Sequence, residues 1–545
     1  MVRSFPTVHG NGTVWFLFIQ KSDVFGAVRS YKLPLTTVAT GKPIHMNDSD
    51  ISHDTETTSP AIVWIMVCGG SLLLLVGAGM MTALSPLFIY GKFYEQRPVI
   101  AMVAFYLTAW IGYVLIFAWS RAAGRTRSLF WVAIACALVA RLLMCFSSPL
   151  LENDFYRYIW DGMAVNHKVS PYATAPHFCE VTDIEPDPEQ FEAAKLVHSR
   201  INYPAVKTIY PPGAQAVFAL NGAIFGWWPY GLRCIFLVVD LTIMILLFRS
   251  GADRAEGRRR TILYACCPLL LKEVVNSMHL DILCTFLLTL YVLSLMRNRI
   301  APAYVWVFLA GWVKLTPFVL LAPLFFLQVH RRQWRQLAIA LLLFGGASAG
   351  MLGLMTLGVD EPFAGLKEFH ESWESNASVF ALVRSRFEHS LLAGGISTDD
   401  AYAGACQNAR DVLAFVYLIF LLLWWRYVRH EHAALRCSMW VLLVMLLITP
   451  VGNPWYLLWL LPFMAVLRNP MVLLLMVMTS LYYLSFHILN HDLPPEMNTY
   501  LRLVEYVPFY LGLCGYLSYV WWRRTRAAKS VEETGDPAII KTSRE

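Results

Sequence analysis

Long apolar runs separated by short polar loops dominate the chain from residue 61 to residue 522. A run of about 20 apolar residues is the length that an α-helix needs to cross the hydrocarbon core of a membrane. The pattern therefore predicts an all-α, polytopic membrane protein with about 12–14 transmembrane segments. The predicted spans lie near residues 61–82, 98–118, 129–146, 229–248, 260–275, 278–297, 337–357, 409–427, 434–450, 454–467, 470–488 and 503–522.

Basic loops between these spans predict the orientation of the chain. The loop SRAAGRTRS after the second span is strongly basic, and the positive-inside rule places such loops in the cytoplasm. Both termini are then cytoplasmic, and residues 147–210, 359–407 and 488–502 lie outside. Further basic loops fit the same orientation at residues 249–260, 297–299, 330–336, 426–436 and 522–529.

Two segments must be shorter than full crossings for this orientation to hold. Residues 211–228 are interpreted as an interfacial or re-entrant helix, because a full crossing there would put the basic 249–260 loop outside. Residues 300–330 have basic ends but are too short for two crossings of about 20 residues each. Two half-helices meeting at WVKLTPF (312–318) satisfy both limits, with Pro317 supplying the break.

Composition excludes several classes of protein. The chain is 57% hydrophobic and 15% charged, against about 25% charged residues in soluble domains. The net charge of +7 is concentrated in short loops, so no nucleic-acid partner is needed to explain it. The predicted organisation is a polar tail at 1–59, a membrane domain at 60–525 and a cytoplasmic tail at 526–545. Residues 1–45 are interpreted as a non-native start or a disordered tail.

The outer segment 152–176 reads ENDFYRYIWDGMAVNHKVSPYATAP and is unusually polar for this chain. Its polar residues Asp154, Arg157, Tyr158 and Asp161 share one helical face, whereas Phe155, Ile159 and Met163 share another. This pattern predicts a helix lying in the membrane interface, with Asn153 as N-cap and an ionised Asp154 in the first turn. An ionised carboxylate there is a candidate general base, and an Asp154–Arg157 ion pair is the structural alternative.

Five motifs in order resemble the GT-C superfamily of membrane glycosyltransferases, most closely the bacterial polyprenyl-phosphate-mannose-dependent mannosyltransferases. The resemblance covers roughly residues 129–465. The motifs are D-x-Y-R-Y-x-W-D-G with N-x-x-x-S-P-Y (154–172), INYPxxxTIYPPGAQ (201–215), NSMHLDIL (276–283), WVKLTPF (312–318) and PVGNPWYLLWLLP (450–462).

The resemblance implies an inverting glycosyl transfer at the periplasmic face of a bacterial inner membrane. A polyprenyl-phosphate sugar, with mannose favoured, would be the donor, and a lipid- or glycan-linked hydroxyl would be the acceptor. Residues 60–525 then form the catalytic domain, with Asp154 as the base and Glu152 in reserve. A leaving phosphate needs no strong acid, but it does need cationic stabilisation.

The resemblance and the spacing nominate further residues around this chemistry. Lys314, at the predicted helix break, is the first candidate for the carrier phosphate, against the alternative of a snorkelling lysine. In relatives the double proline follows Lys or His, whereas here it follows Tyr210. The other phosphate candidates are Arg233, Lys207 and Arg157, and the candidate substrate contacts are Tyr158, Asp161, Tyr210, His279, Asp281, Trp455 and Tyr456.

A divalent cation is a further candidate, because carboxylates suit hard ions, although no cofactor is certain. Its candidate ligands are Glu152, Asp154, His279 and Asp281.

The loop 359–407 is long enough to be a lid, with Glu374, Asn376, Arg384 and Arg386 as its candidate polar contacts. Cys179 and Cys406 both fall in outer segments, and we expect a disulfide between them.

Two other functions remain open from the sequence. A lipid or glycan transporter would account for polar residues within spans, with Asp240 as its best support, although transporter sites lie near the bilayer midplane. A glycan ligase using a diphosphate-linked donor would move whole oligosaccharides rather than one sugar.

Overall fold

The structure, a computed structural model, describes residues 59–91 and 94–534, which belong to one compact unit. The predicted tail at 1–58, with its expected non-native start, and residues 535–545 lie outside the described part. Within that part there are 21 α-helices and no strand beyond an isolated bridge. They are α1 (Pro60–Leu84), α2 (Val99–Arg125), α3 (Arg127–Cys145), α4 (Phe155–Asn166), α5 (Val181–Ile184), α6 (Pro188–His198), α7 (Pro212–Phe225), α8 (Gly231–Arg249), α9 (Arg254–Ala265), α10 (Asp281–Met296), α11 (Ile300–Val313), α12 (Leu321–His330), α13 (Trp334–Thr356), α14 (Ala364–Ser372), α15 (Val379–Ala393), α16 (Thr398–Trp424), α17 (Glu431–Ile448), α18 (Leu461–Leu467), α19 (Pro470–Met478), α20 (Leu484–Asn490) and α21 (Glu496–Thr534).

Eight helical segments of the described chain are long and apolar enough to cross a membrane. They confirm the prediction of an all-α, polytopic membrane protein. The eight are Pro60–Phe88, α2, α3, α8, α13, α16, α17 and Pro470–Asn490, and the shorter apolar segments are α10, α11, Thr316–His330 and Pro454–Leu467.

The segment predicted to be a short helix after residue 211 is the 14-residue α7. At 1.5 Å per residue it is about 21 Å long, too short for a full crossing. Pro211 and Pro212 begin it, because proline is favoured where the first N–H groups have no helical partner. Gly226 ends it with φ +56°, a conformation that favours glycine.

The predicted break between two half-helices is also present. Helix α11 ends at Val313, and Lys314 is extended with φ −144° and ψ 138°. A 3₁₀ turn over Thr316–Leu320 contains Pro317 and leads into α12. The break leaves the Lys314 side chain at the end of a helix, where it can reach a neighbouring element.

Helix α4 contains the polar segment but is not exposed along one face. Its residues from Phe155 to Ala164 are all buried, and it packs against α6 and α7. The predicted cap is wrong by one position, because the helix starts after Asp154 and neither neighbouring side chain caps it. The Asn153 side chain is instead engaged with Asn202 and the carbonyl of Arg200. The interfacial position of α4 stays a prediction.

The expected lid loop 359–407 is mostly helical. It contains α14 and α15 and the first turns of α16, so the span predicted near 409–427 begins at Thr398. The Ser397 side chain caps α16 by accepting from the Asp400 N–H, which fixes this early start. The expected C-terminal tail after residue 525 likewise continues as helix α21 to Thr534.

A π-helix over Leu270–Asn276 joins α9 to α10, and all seven of its residues are buried. Such π-helical turns are rare and are frequent at functional sites. Met278 follows with φ +56°, a left-handed conformation that is costly for a side chain of this size. This bend directs Lys272, Glu273 and His279 into the protein beside residue 152.

Candidate active site

Five separate parts of the chain meet around one cavity of about 330 Å³, here called the central cavity. The parts are the start of α4, the turn before α7, the break after α11, helix α14 and the segment 445–459. Four of the five sequence motifs therefore contribute residues to the cavity wall. The fifth, NSMHLDIL, supplies Asp281, which contacts Lys314 from behind the wall. Its aromatic lining consists of Tyr158, Tyr210, Phe369, Trp373, Trp455, Tyr456 and Trp459, and its polar lining includes Asp154, Lys314, His370, Asn453 and Thr449.

Asp154 is the one carboxylate that lines the central cavity among the residues described. Its Oδ1 accepts from Asn202 Nδ2 at 3.2 Å, and no Lys or Arg of the described chain lies within ion-pair distance. Burial raises the pKa of Asp154, whereas the Asn202 hydrogen bond and the charge of Lys314 act to lower it. Without a cationic partner, Asp154 keeps its second carboxylate oxygen available to accept the proton of a substrate hydroxyl.

Lys314 is the lysine of the central cavity, and its ammonium lies beside an acid at the start of α10. The Nζ atom donates to both oxygens of Asp281, at 2.9 and 2.8 Å. It also lies 4.4 Å from the ring centre of Tyr456 and 5.6 Å from that of Trp459. The ion pair compensates the charge of a lysine in an aromatic cavity. One side of the ammonium is thus fixed by protein, and the other faces the cavity.

Glu152 lies behind Asp154 in a network of buried charges. Its Oε2 accepts from Lys272 Nζ at 2.5 Å and from Ser277 Oγ at 3.1 Å. Lys272 is fully buried and also lies 3.5 Å from Glu273 Oε1. The Tyr483 hydroxyl donates to the same Glu273 oxygen. Glu152 is therefore the partner of a buried lysine, and this pairing weakens its candidacy as a reserve base.

The residues expected to hold a metal do not assemble as a set. Asp281 is engaged by Lys314 and Asp154 by Asn202. The structure brings together Glu152, Glu273 and His279 instead, with ligand atoms within 4.8 Å of one another. The ammonium of Lys272 contacts both carboxylates and offsets one of their two negative charges. Glu152 Oε1, Glu273 Oε2 and the His279 ring nitrogens have no hydrogen-bond partner, so this cluster, rather than the expected set, offers ligand atoms for a cation.

His279 lies at the base of the central cavity rather than on its wall. Its ring stacks on Trp455 with centroids 4.1 Å apart, and its Nε2 lies 3.3 Å from Glu273 Oε2. Both ring nitrogens are buried without a well-formed hydrogen bond. Through the stack, His279 orients Trp455, which together with Tyr456 lines the cavity.

The remaining charged candidates lie away from the central cavity. Arg157 donates to Asp161 at 2.7 Å, so the alternative Asp154–Arg157 pair is wrong. Asp161 also accepts from Gln215, which ties α4 to α7. Arg233 donates to the backbone carbonyls of Cys145 and Asn276, and Lys207 donates to that of Asp360. We interpret these four residues as structural.

The expected disulfide is absent, because Cys179 and Cys406 are both free thiols. Cys179 packs at the edge of the main hydrophobic core. Cys406 is buried within α16, in a separate cluster with Phe380 and Ala409. The two side chains belong to different packing units, which explains why the loops are not joined there.

Two further cavities lie near the site. One of about 520 Å³ is lined by Glu152, Asn153 and Asn202, and by Arg97 and Arg200 farther out. The other, of about 550 Å³, is lined by Glu374, Asn376 and Arg384, three of the four polar residues expected on the lid; Arg386 is not among its lining residues. There Arg384 pairs with Glu374 at 2.7 Å, and Asn376 donates to Glu505. Residues 152–154 and 202 thus separate the central cavity from a second, polar cavity.

Several site residues were not predicted as such. Asn202, which orients Asp154, and Asn453, which lines the central cavity, both stood within quoted motifs. His370 and Trp373 were part of the lid sequence and line the central cavity. An unusual polar residue within a matching motif was the available signal for Asn202. The pairing of Lys272 with Glu152 joins residues 120 positions apart and had no local signal.

Comparison with known proteins gives two family matches and one curated relative. The model of glycosyltransferase family 87 matches residues 208–450, and that of the MptB C-terminal domain matches residues 405–509. The chain is 23% identical over 343 residues to alpha-(1->6)-mannopyranosyltransferase A of Mycobacterium tuberculosis. That alignment covers 58% of this chain and 61% of the relative's length. No solved structure matches the chain.

The two family matches cover most of the central cavity. Tyr210, Asp281 and Lys314 lie within the first, and Trp455 and Tyr456 within the second. Together with the mannosyltransferase relative and the apolar helices, they support a multi-pass membrane protein that is similar to GT-C mannosyltransferases.

Proposed function

We propose that the protein transfers one sugar, mannose, with inversion from a polyprenyl-phosphate donor to a lipid- or glycan-linked hydroxyl. One observation carries this proposal: Asp154 is the only carboxylate on the central cavity among described residues, and it shares that cavity with Lys314. A base for the acceptor and a cation for the leaving phosphate are the two charges that the reaction needs.

In the proposed reaction Asp154 removes the proton of the acceptor hydroxyl. The acceptor oxygen forms a bond to the anomeric carbon from the side opposite the carrier. The bond between that carbon and the phosphate oxygen breaks, and the electron pair leaves with the lipid phosphate. Lys314 would stabilise the negative charge on the carrier, and Asn202 would hold Asp154 in place.

The aromatic walls of the central cavity suit both parts of such a donor. Tyr158 and Tyr210 lie edge to face with ring centres 5.1 Å apart, and Tyr456 stacks on Trp459. Sugars present C–H groups to aromatic faces, and isoprenyl chains require apolar contacts. By the orientation predicted from the basic loops, the cavity would open on the periplasmic side of a bacterial inner membrane.

The transporter alternative loses its best support in the structure. Asp240 is fully buried and accepts from Arg141 at 2.5 Å and from Tyr264 at 2.8 Å. Both of its oxygens are therefore engaged by protein, and no cavity among those found near the site includes it. A closed ion pair of this kind fixes helices α3 and α8 together rather than binding a passing solute.

The test is transfer from radiolabelled polyprenyl-phosphate mannose by the purified protein in nanodiscs, with lipid-linked mannosides as acceptors. Asp154→Asn should lower the rate by about 10²–10⁴, the usual contribution of a general base. Asp183→Asn, an exposed carboxylate of the same loop, is the matched control and should keep the wild-type rate.

Three results would contradict the proposal. Full activity of Asp154→Asn would move the base elsewhere. Turnover only with a diphosphate-linked oligosaccharide would support the glycan ligase. No turnover with any polyprenyl-linked donor would support the transporter function instead.

A further inference from the structure

The end of the molecule opposite the candidate active site has a cavity of its own. Helix α2 starts beside Arg97, at the second cavity, and its 27 residues extend about 40 Å to Arg125. At that far end a cavity of about 300 Å³ lies between the ends of α2, α9 and α18. We call it the arginine cavity, after its four lining residues Arg121, Arg125, Arg259 and Arg468.

Both acidic residues on the arginine cavity already have partners. Asp253 caps α9 by accepting from the Glu256 N–H at 2.8 Å. The Glu256 side chain is shared by Arg259, at 2.5 Å, and Arg260, at 2.8 Å. Glu256 shares its single negative charge between two arginines, and neither it nor Asp253 forms an ion pair with the other guanidinium groups of the cavity within the described residues.

Three guanidinium groups therefore face the cavity without an acidic partner. Arg121 and Arg125 make no hydrogen bond or ion pair through their side chains within the described residues. Arg468 donates only to the carbonyl of Phe117, at 3.0 Å, and lies over that ring. Burial, followed by the charges of Arg121 and Arg259, lowers the pKa of Arg468 to about 10. Like charges held this close are unfavourable unless an anion lies between them.

Two arginines of the cavity also carry buried N–H groups that have no acceptor. Arg259 is 7% exposed, and its Nη1 has no acceptor. The Nε of Arg468 is likewise buried without one. Buried N–H groups without an acceptor are costly, so a ligand oxygen within reach would be stabilising.

We propose that the arginine cavity binds a phosphate group, and that its occupant is the headgroup of an anionic phospholipid. Guanidinium groups bind phosphate through paired hydrogen bonds. Val466 and Leu467 form an apolar wall, which suits the glycerol and first methylenes of a lipid better than a free ion. The cavity lies where the candidate span α2 ends, the depth at which headgroups are found.

The test is native mass spectrometry of the full-length protein in neutral detergent, titrated with phosphatidylglycerol or with phosphatidylcholine of the same chains. The double variant Arg121→Gln/Arg125→Gln removes two exposed groups that make no contacts within the fold. Its matched control is Arg127→Gln/Arg254→Gln, which removes the same charge from the same end but not from the cavity.

The proposal predicts that phosphatidylglycerol binds the wild type and the control in preference to phosphatidylcholine. The cavity variant should bind it about tenfold to a hundredfold more weakly, the loss expected for one or two charge-assisted hydrogen bonds. Competition by millimolar inorganic phosphate would support the phosphate site but assign it to a soluble anion. Equal losses in both double variants, or no loss in either, would overturn the proposal.

Discussion

Lys272 holds together the buried charges behind Asp154, and its replacement by Met is the most direct test of that network. The ammonium is fully buried and contacts Glu152 at 2.5 Å, Ser277 at 3.0 Å and Glu273 at 3.5 Å. Met keeps most of the side-chain volume but leaves two carboxylates without a cation. Breaking a buried pair in this way costs about 3–5 kcal/mol.

The matching second change is Glu152→Gln, which removes one of the two unpaired charges. Because Glu152 and Lys272 contact each other, the double variant should be more stable than the sum of the single effects predicts. The coupling energy expected for residues in one such network is about 0.5–3 kcal/mol. Lys367→Met, an exposed lysine on α14, is the control and should change stability by less than about 0.5 kcal/mol.

The assay is the free energy of unfolding of the purified protein, measured by denaturing-detergent titration, with transfer activity measured in parallel. Glu152→Gln should lose activity only as far as it loses folded protein, because the structure makes Glu152 a partner of Lys272 rather than the base. A Lys272→Met variant within about 1 kcal/mol of the wild type would refute the reasoning. The reasoning would also be refuted if the stability change of the double variant equalled the sum of the changes of the two single variants.

Three further predictions concern the central cavity and its frame. Burial raises the pKa of Asp154, and the base must be ionised to act. On acidification kcat/KM should therefore begin to fall at a higher pH than it would with an exposed aspartate as the base. A flat profile of kcat/KM down to about pH 4 would contradict this. Lys314→Met should lower donor turnover at least about tenfold while Lys314→Arg retains part of it, as steady-state kinetics would show, and equal losses would exclude a charge effect. Gly162→Ala should destabilise the protein by about 1–3 kcal/mol, because the new Cβ would lie 2.1 Å from the carbonyl oxygen of Phe218. The control is Gly69→Ala, whose Cβ would meet no atom within 4 Å. Equal thermal midpoints for the two variants would contradict the prediction.

The positions of the helix breaks could be predicted from the sequence because they follow from length and charge. The 30 residues between Arg299 and His330 are too few for two full crossings, so a break near Pro317 is expected whatever the rest of the fold does. The short α7 follows from the same counting. The motifs that supply the cavity walls could also be listed, because together and in order they resemble those of a known family.

The pairing of charges could not be predicted, because it depends on contacts between distant parts of the chain. Helical spacing correctly placed Arg157 and Asp161 one turn apart, but it gave Asp154 as an equally good partner. Only the packing of α4 against α7, where Gln215 also reaches Asp161, selects between them. The expected disulfide failed for the same reason, since location on one side of a membrane does not bring two thiols within bonding distance.

The arrangement of ion pairs accounts for the role proposed for Asp154. A buried carboxylate with a lysine or arginine at hydrogen-bond distance has its charge compensated and its oxygens engaged, which describes Glu152, Asp240 and Asp281. Asp154 instead has an amide partner and lies on the cavity wall. An amide orients a carboxylate without neutralising it, so proton affinity is kept where a hydroxyl can reach it. Lys314, with its acid partner held behind it, leaves room in front for a phosphate. Asp154 has an amide as its partner, and Lys314 has an acid on one side only. These partners, more than the motifs, distinguish a base and an anion-binding lysine from a structural salt bridge.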